Sequence, residues 1–243
     1  MLSPIRIPGL FVTATDTDVG KTVIAGAIAD HFRRQGARIA VSKPVATGCV
    51  HRREGWVSED AEFLASCADT PFPLDLICPQ CYREPLAPAV AADRAGQPLD
   101  WESVDRSLGL MTRESDVIVV EGVGGILVPL DKTHTVLDVA RWLGLPTVIV
   151  ARANLGTINH TLLTIRALRG ANVPIAGVVI NRYPADTPGT AEETNPRYIE
   201  KYGKVPVLAI VPDEPTLKRP PLPETITSPI DRVDWRGFAE RRR

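Results

Sequence analysis

No stretch of this 243-residue chain approaches the roughly 18 consecutive apolar residues of a membrane-crossing helix, which argues against a helical membrane protein. The opening, MLSPIRIPGLFVTAT, lacks the composition of a signal peptide and runs straight into a strand-like stretch, so a cytoplasmic location is expected. An excess of one charge is missing too. The 28 Lys+Arg against 29 Asp+Glu leave a formal charge of −1, and no global field calls for nucleic acid or an anionic membrane. A small-molecule partner is the expectation. Cysteine is sparse: Cys49, Cys67, Cys78 and Cys81. Cys78-Pro-Gln-Cys81 lacks the second pair that a zinc site needs, and is read as ordinary reduced thiols. A metal site recruiting Cys49, Cys67 or His51, and redox chemistry, are the alternatives. Internal repeats and domain linkers are absent.

What is present is an α/β pattern, with 44% hydrophobic residues and 18 glycines spread along the chain. Short apolar runs at 10–13, 38–42, 116–120, 147–151, 176–180 and 206–211 read as buried parallel strands. Helical patterns at 21–35, 58–67, 101–112, 135–143, 157–169 and 195–202 alternate with them. This alternation predicts one α/β domain over 1–243, a doubly wound, mainly parallel sheet with helices on both faces. The proline-rich stretches 71–98 and 213–243 are expected as a surface connection and a C-terminal tail, the latter with a short helix within 234–243.

In such a sheet ligands collect at the carboxyl ends of the strands, so the residues just after each strand carry the functional argument. The first strand delivers Thr13-Ala-Thr-Asp-Thr-Asp-Val-Gly-Lys-Thr22, whose Gly20-Lys21-Thr22 ending is that of a phosphate-binding loop opening onto a helix. Converging amides suit phosphate oxygens, Lys21 suits the outer phosphates, and the Thr22 hydroxyl suits a Mg²⁺ shell. The standard loop has glycine five residues before Gly20; here that position is Thr15. The second strand delivers Lys43-Pro-Val-Ala-Thr47-Gly48, placing a second cation where charge develops in phosphoryl transfer. Glu121 ends the third strand before Gly122-Val123-Gly124-Gly125, and Asp60 opens a helix, where it also favours the helix dipole. With Thr22 these two carboxylates form an oxygen set suited to Mg²⁺. The run from Asn154 to His160 offers free amides to a carboxylate, with His160 read as structural. Asn181 and the Val211-Pro212-Asp213 turn suit a purine edge.

Together FVTATDTDVGKT, SKPVATG, SED, VEGVGGILVPL, NLGTINHTLLT and GVVINR resemble the dethiobiotin synthetase family of P-loop NTPases over roughly residues 10–212. The resemblance implies ATP and Mg²⁺ as requirements, 7,8-diaminononanoate and CO₂ as co-substrates, and a homodimer. It implies that Asp18, Val19, Gly20, Lys21, Thr22 and Val23 hold the ATP phosphates, with Thr22, Asp60 and Glu121 at Mg²⁺. Lys43, Lys21 and Thr17 take the catalytic places, and Thr47 faces the reacting end of the substrate. Glu121, Gly122, Val123 and Gly124 touch nucleotide, while Asn181, Arg182, Val211, Pro212 and Asp213 form the base pocket. Gly156, Thr157, Ile158 and Asn159 reach the substrate carboxylate across the dimer. Ala14 stands where the family usually has glycine, Thr47 where serine also occurs, and Leu86-Ala-Pro-Ala89 lacks a histidine often found there. The competing class is a switch or partitioning ATPase acting on a macromolecule, which should lack the KPVATG segment and often carries a basic or amphipathic surface.

Overall fold

The computed structural model describes residues 1–53, 55–215, 217 and 219–240. Its elements begin with β1 (Gly9–Ala14), α1 (Lys21–Arg34), β2 (Ile39–Ser42), β3 (Val45–Thr47), β4 (Val50–Arg52), β5 (Gly55–Val57) and α2 (Glu59–Ala68). They continue through α3 (Leu74–Ile77), β6 (Gln80–Tyr82), α4 (Pro88–Ala95), α5 (Trp101–Arg113), β7 (Val117–Gly125), α6 (Val136–Leu143) and β8 (Thr147–Arg152). The last are α7 (Thr157–Gly170), β9 (Ile175–Tyr183), α8 (Thr190–Gly203), β10 (Val207–Pro212), α9 (Glu224–Asp231) and α10 (Trp235–Ala239).

Six strands form one parallel sheet in the order β10-β9-β8-β1-β7-β2. All residues of β1 and β2 are buried, as continuous apolar runs require when helices cover a parallel sheet. On one side α1 packs against α2 and α9 as well as β1, β2 and β7, while α7 and α8 pack together over β8 to β10. Two small sheets stand apart, β3 with β6 in parallel and β4 with β5 antiparallel.

Each of the six expected strand runs lies in this sheet, though β7 extends through the glycine run to Gly125. The stretch 71–98 is less bare than expected, because it carries α3, β6 and α4. Pro88 stands at the first position of α4, where its missing N–H is harmless, and Gly96 at φ 62 closes that helix. The helix expected from 195 begins at Thr190, with Pro196 inside it.

Within 213–243 the chain forms α9 and α10 in addition to its proline-rich turns; of the helix expected in 234–243, residues 241–243 lie outside the described residues. Trp235 is fully buried, and its indole N–H donates to the Ile230 carbonyl at 2.8 Å. Across the helix interface Asp231 accepts from His31 at 2.7 Å and from Arg34 at 2.6 Å, both on α1. Truncating a fully buried indole leaves a cavity, so Trp235→Ala is expected to cost about 3–5 kcal/mol of stability in urea unfolding. A loss below about 1 kcal/mol would mean that this end of the chain does not unfold with the sheet.

Candidate functional site

Strand register builds the site. Ser42 of β2 pairs with Val120 of β7, so the next residues, Lys43 just beyond β2 and Glu121 still within β7, come side by side. Val12 of β1 pairs with Glu121, and β1 runs two residues further before the phosphate loop begins. Three neighbouring strands thus release a lysine, a carboxylate and a Gly-Lys-Thr loop at one level.

The loop's backbone is shaped by its sequence. Gly20 caps α1 at φ 82, and Asp18 also takes a left-handed conformation at φ 57. A side chain at position 20 is crowded as well as strained, because its Cβ would press on the Asn181 side-chain amide and displace it. That amide donates to the Val19 carbonyl at 2.9 Å and ties the end of β9 to the loop. On the loop's other side Asp16 accepts from its own Thr17 amide at 2.8 Å and from Arg152 at 2.6 Å. Sequence reasoning did not single out the Asp16–Arg152 pair, although Arg152 is a charged residue at a strand's carboxyl end, the position that drew attention to Lys43.

Behind the loop lies a compact charge cluster. Lys43 Nζ donates to Glu121 Oε1 at 2.6 Å and to the Gly122 carbonyl at 3.3 Å, and pairs with Asp60 Oδ2 at 2.7 Å. The Thr22 hydroxyl donates to Glu121 Oε1 at 2.9 Å. Side-chain exposure is 4% for Lys43, 0% for Glu121 and 45% for Asp60, so the cluster is closed at its base and open at Asp60. Burial works against the charge on Lys43, but attraction to Glu121 and Asp60 and bonds to both outweigh it, and its pKa is raised. Burial and repulsion from Lys43 lower the pKa of Lys21. For Asp60, contact with Lys43 and Thr22 overcomes desolvation and lowers the pKa. The Glu121 carboxyl is pulled upward by burial and by the nearby Asp60, against the pull of Lys43. Lys43 is therefore charged and Asp60 ionised, while Glu121 gains from any further positive charge.

One atom points to where that charge fits. Glu121 Oε2 is buried and has no hydrogen-bond partner among the described residues. A carboxylate oxygen left so is costly unless a cation or donor meets it, and Thr22, Asp60 and Glu121 together supply the hard oxygens that Mg²⁺ prefers.

The other expected residues lie around this cluster. Asn181, Arg182, Pro212 and Asp213 line a cleft of about 280 Å³ together with Gly20 and Val23, and Leu217 and Ile226 close it from the C-terminal segment. Val211 is buried in β10 just before the cleft. Thr17, Asp18 and Val19 line an adjoining space with Arg152 and Arg182. Thr47 ends β3, paired with Tyr82 of β6. Gly122 is packed against Phe11 and Val136, Val123 is half-buried, and Gly124 turns at φ 58 beside Val128 and Thr17. Gly156, at φ 95, opens α7, followed by buried Thr157, half-buried Ile158 and exposed Asn159. These four residues stand at the end of β8, where Leu155 is 85% exposed, and none hydrogen-bonds the Lys43 cluster among the described residues.

A glycine-shaped loop with a buried lysine and a half-buried threonine, facing one carboxylate on the adjacent strand and another on α2, defines a P-loop nucleoside-triphosphate protein. Residues 8–221 match the family model described as AAA domain. The chain is 35% identical to the ATP-dependent dethiobiotin synthetase of Thermodesulfovibrio yellowstonii over 92% of its own length and 96% of that protein's. It is 41% identical to the Anaeromyxobacter dehalogenans synthetase, over 87% of this chain and 92% of that one. This chain belongs to the dethiobiotin synthetase family. The MinD cell-division protein of Aquifex aeolicus shares the fold, with a TM-score of 0.58 at 15% identity over 96% of this chain and 94% of that one.

Replacing Lys43 by Met removes the main attraction that holds the Glu121 pKa down, so Glu121 should titrate higher still in the folded state. A raised folded pKa stabilises below the unfolded carboxylate pKa of about 4.3 and loses that stability as pH rises through the folded value. Urea unfolding of Lys43→Met should therefore show stability, relative to the parent chain, declining from acid towards neutral pH. Parallel pH profiles for the two proteins would contradict the charge assignment.

Proposed function

We propose that this chain catalyses ATP-dependent ring closure of 7,8-diaminononanoate with CO₂, giving dethiobiotin, ADP and phosphate. The observation that carries the reading is Lys43 Nζ, buried beside the phosphate loop and held between Glu121 and Asp60. Family membership supplies the substrate class, and the site supplies the means.

One amine of the substrate takes up CO₂ to form a carbamate. A carbamate oxygen then attacks the γ-phosphorus and ADP leaves, giving a carbamic-phosphoric anhydride. The second amine attacks the carbamoyl carbon and phosphate departs, closing the ureido ring. Every step gathers negative charge at one place, so the protein's task is positioning and electrostatic compensation. Lys21 and Lys43 face the transferring phosphoryl group, and amides from Asp18 to Val23 cradle the phosphates. Thr17 and Thr47 orient the reacting end. Thr22, Asp60 and Glu121 would hold Mg²⁺, which when bound offsets phosphate charge; the partnerless Glu121 Oε2 supports that assignment. Glu121 to Gly124 border the nucleotide, with Asn181, Arg182 and Val211 to Asp213 around its base.

The amides of Gly156, Thr157, Ile158 and Asn159 at the start of α7 suit the substrate carboxylate. We place that contact across a homodimer interface. Support comes from Leu155, 85% exposed just before α7, and Leu163, 58% exposed midway along it, which a second subunit would cover.

The direct test is phosphate release by the purified protein with Mg-ATP and bicarbonate, with and without 7,8-diaminononanoate, the cyclised product being followed by mass spectrometry. Release coupled to a ureido product is expected, whereas hydrolysis indifferent to the diamine would point to an ATPase of another kind. Lys43→Ala should lower turnover by about 10²-fold or more, and full activity would remove Lys43 from its role. Glu121→Gln should raise the Mg²⁺ concentration needed for half-maximal rate by about 10–100-fold, and an unchanged titration would exclude Glu121 as a ligand.

A further inference from the structure

Three of the four cysteines are brought together by the small β3–β6 sheet. Ala46 pairs with Cys81 across the two strands, and the Cys49 amide donates to the Tyr82 carbonyl at 3.0 Å. Cys78 and Cys81 lie with their sulfurs 3.5 Å apart. Cys49 also hydrogen-bonds the Cys81 sulfur, as does the backbone N–H of Ser58. Among the described residues no group of three or more His, Cys, Asp or Glu is suited to holding a metal ion, which turns the cluster away from a metal site. Its three thiols are free, Cys49 and Cys78 buried and Cys81 half-buried.

Cys81 Sγ also lies 3.8 Å from the Cys78 carbonyl, and a half-buried sulfur in contact with two buried thiols and a backbone amide at the start of α2 is placed for thiol–disulfide exchange. Those hydrogen bonds, from Cys49 first and then Cys78, hold the Cys81 thiol down at about 4, while bonding to Cys81 and burial push Cys78 well up. A reactive, partly exposed sulfur beside a buried, protonated one is the division of labour that disulfide exchange requires.

The position of the pair gives it a consequence. Ser58, whose amide contacts Cys81, is the N-cap of α2, and Asp60 follows two residues later. Ile77, next to Cys78, accepts from the Lys43 amide at 2.8 Å and from the Ser42 hydroxyl at 3.4 Å. The β3–β6 pairing also fixes Thr47. One turn of chain thus braces three segments of the site.

We propose that Cys78 and Cys81 are a reversible redox site, oxidised by a low-molecular-weight disulfide and reporting to Asp60 and Lys43 through Ser58 and Ile77. The Cys81 thiolate attacks one sulfur of RSSR, the S–S bond breaks, and RS⁻ leaves. Cys78 then gives up its proton, and its sulfur attacks Cys81 and expels the second RS⁻. Two cysteine sulfurs are oxidised and one RSSR is reduced; the Cys78 proton leaves as RSH, and the remaining RS⁻ carries the charge that Cys81 began with. Bonding requires the sulfurs to close from 3.5 Å to about 2.05 Å, and Ser58 loses its anionic acceptor. Cys81 acts here as a positioning residue for Asp60.

The test uses the full chain, incubated with oxidised glutathione and then with dithiothreitol, and read by peptide mass mapping and by binding of a fluorescent Mg-nucleotide. The peptide carrying Cys78 and Cys81 should lose two hydrogens, Mg-nucleotide affinity should fall by about 10–100-fold, and dithiothreitol should restore both. Cys78→Ser should trap glutathione on Cys81, Cys81→Ser should take up neither modification, and Cys67→Ser should respond as the parent chain does. Four thiols surviving oxidation, a disulfide through another cysteine, or a Cys78–Cys81 disulfide with unchanged affinity would overturn the proposal. Because neither readout uses the diamine, failure here is distinguishable from failure of the proposed synthesis.

Discussion

An ammonium group with 4% of its side chain exposed keeps its charge in this interior only because two carboxylates meet it, at 2.6 and 2.7 Å. Lys43 thereby couples three parts of the fold: the end of β2 that it directly follows, the middle of β7 that carries Glu121, and the first turn of α2 that carries Asp60. Thr22 joins them through Glu121, so the first turn of α1 belongs to the same network. Such a cluster is a poor way to gain stability, since desolvation offsets much of the attraction. It is a good way to hold charged groups ready for phosphate, because the protein, rather than the ligand, has already met the cost of ordering them.

The parallel sheet makes this economical in chain length. With the strands running in one direction, their carboxyl ends form a single rim, and one residue after each strand suffices to place a functional group there. Lys43 directly follows β2, Glu121 lies within β7 just past the point where β2 stops pairing with it, and Arg152 ends β8 opposite Asn181 of β9. The phosphate loop uses the same rim after β1. Asn181 Nδ2 on the Val19 carbonyl and Arg152 on Asp16 brace it from the far side, so the loop is fixed between strand ends rather than by its own hydrogen bonds alone.

Segments without strong periodicity carry more of the architecture than their composition suggests. The stretch between α2 and α5 supplies β6, which pairs with β3 and holds the second-strand loop, and α9 lies against α1 with Ile226 at the mouth of the nucleotide cleft. Both are rich in proline, which marks turns in a sequence without saying what those turns pack against. The short elements there gain their stability from neighbours distant in sequence, as the β3–β6 pairing of Thr47 with Tyr82 illustrates.

Local chemistry determined a good deal on its own. Continuous apolar runs determined that the strands would be buried and Gly20-Lys21-Thr22 determined a phosphate loop, whereas the strand end expected at Glu121 lies instead at Gly125, because the glycine run continues β7. These are properties of a few adjacent residues, and they survive in any fold that keeps strand, loop and helix in order. Register, by contrast, belongs to the sheet. Only the pairing of Ser42 with Val120 sets Lys43 beside Glu121, and only the return of α2 sets Asp60 against both. Asp16 with Arg152, the partnerless Glu121 oxygen and the meeting of Cys49, Cys78 and Cys81 were decided in the same way. Each depends on distances between residues far apart in the chain, and those distances exist only once the strands have chosen their neighbours.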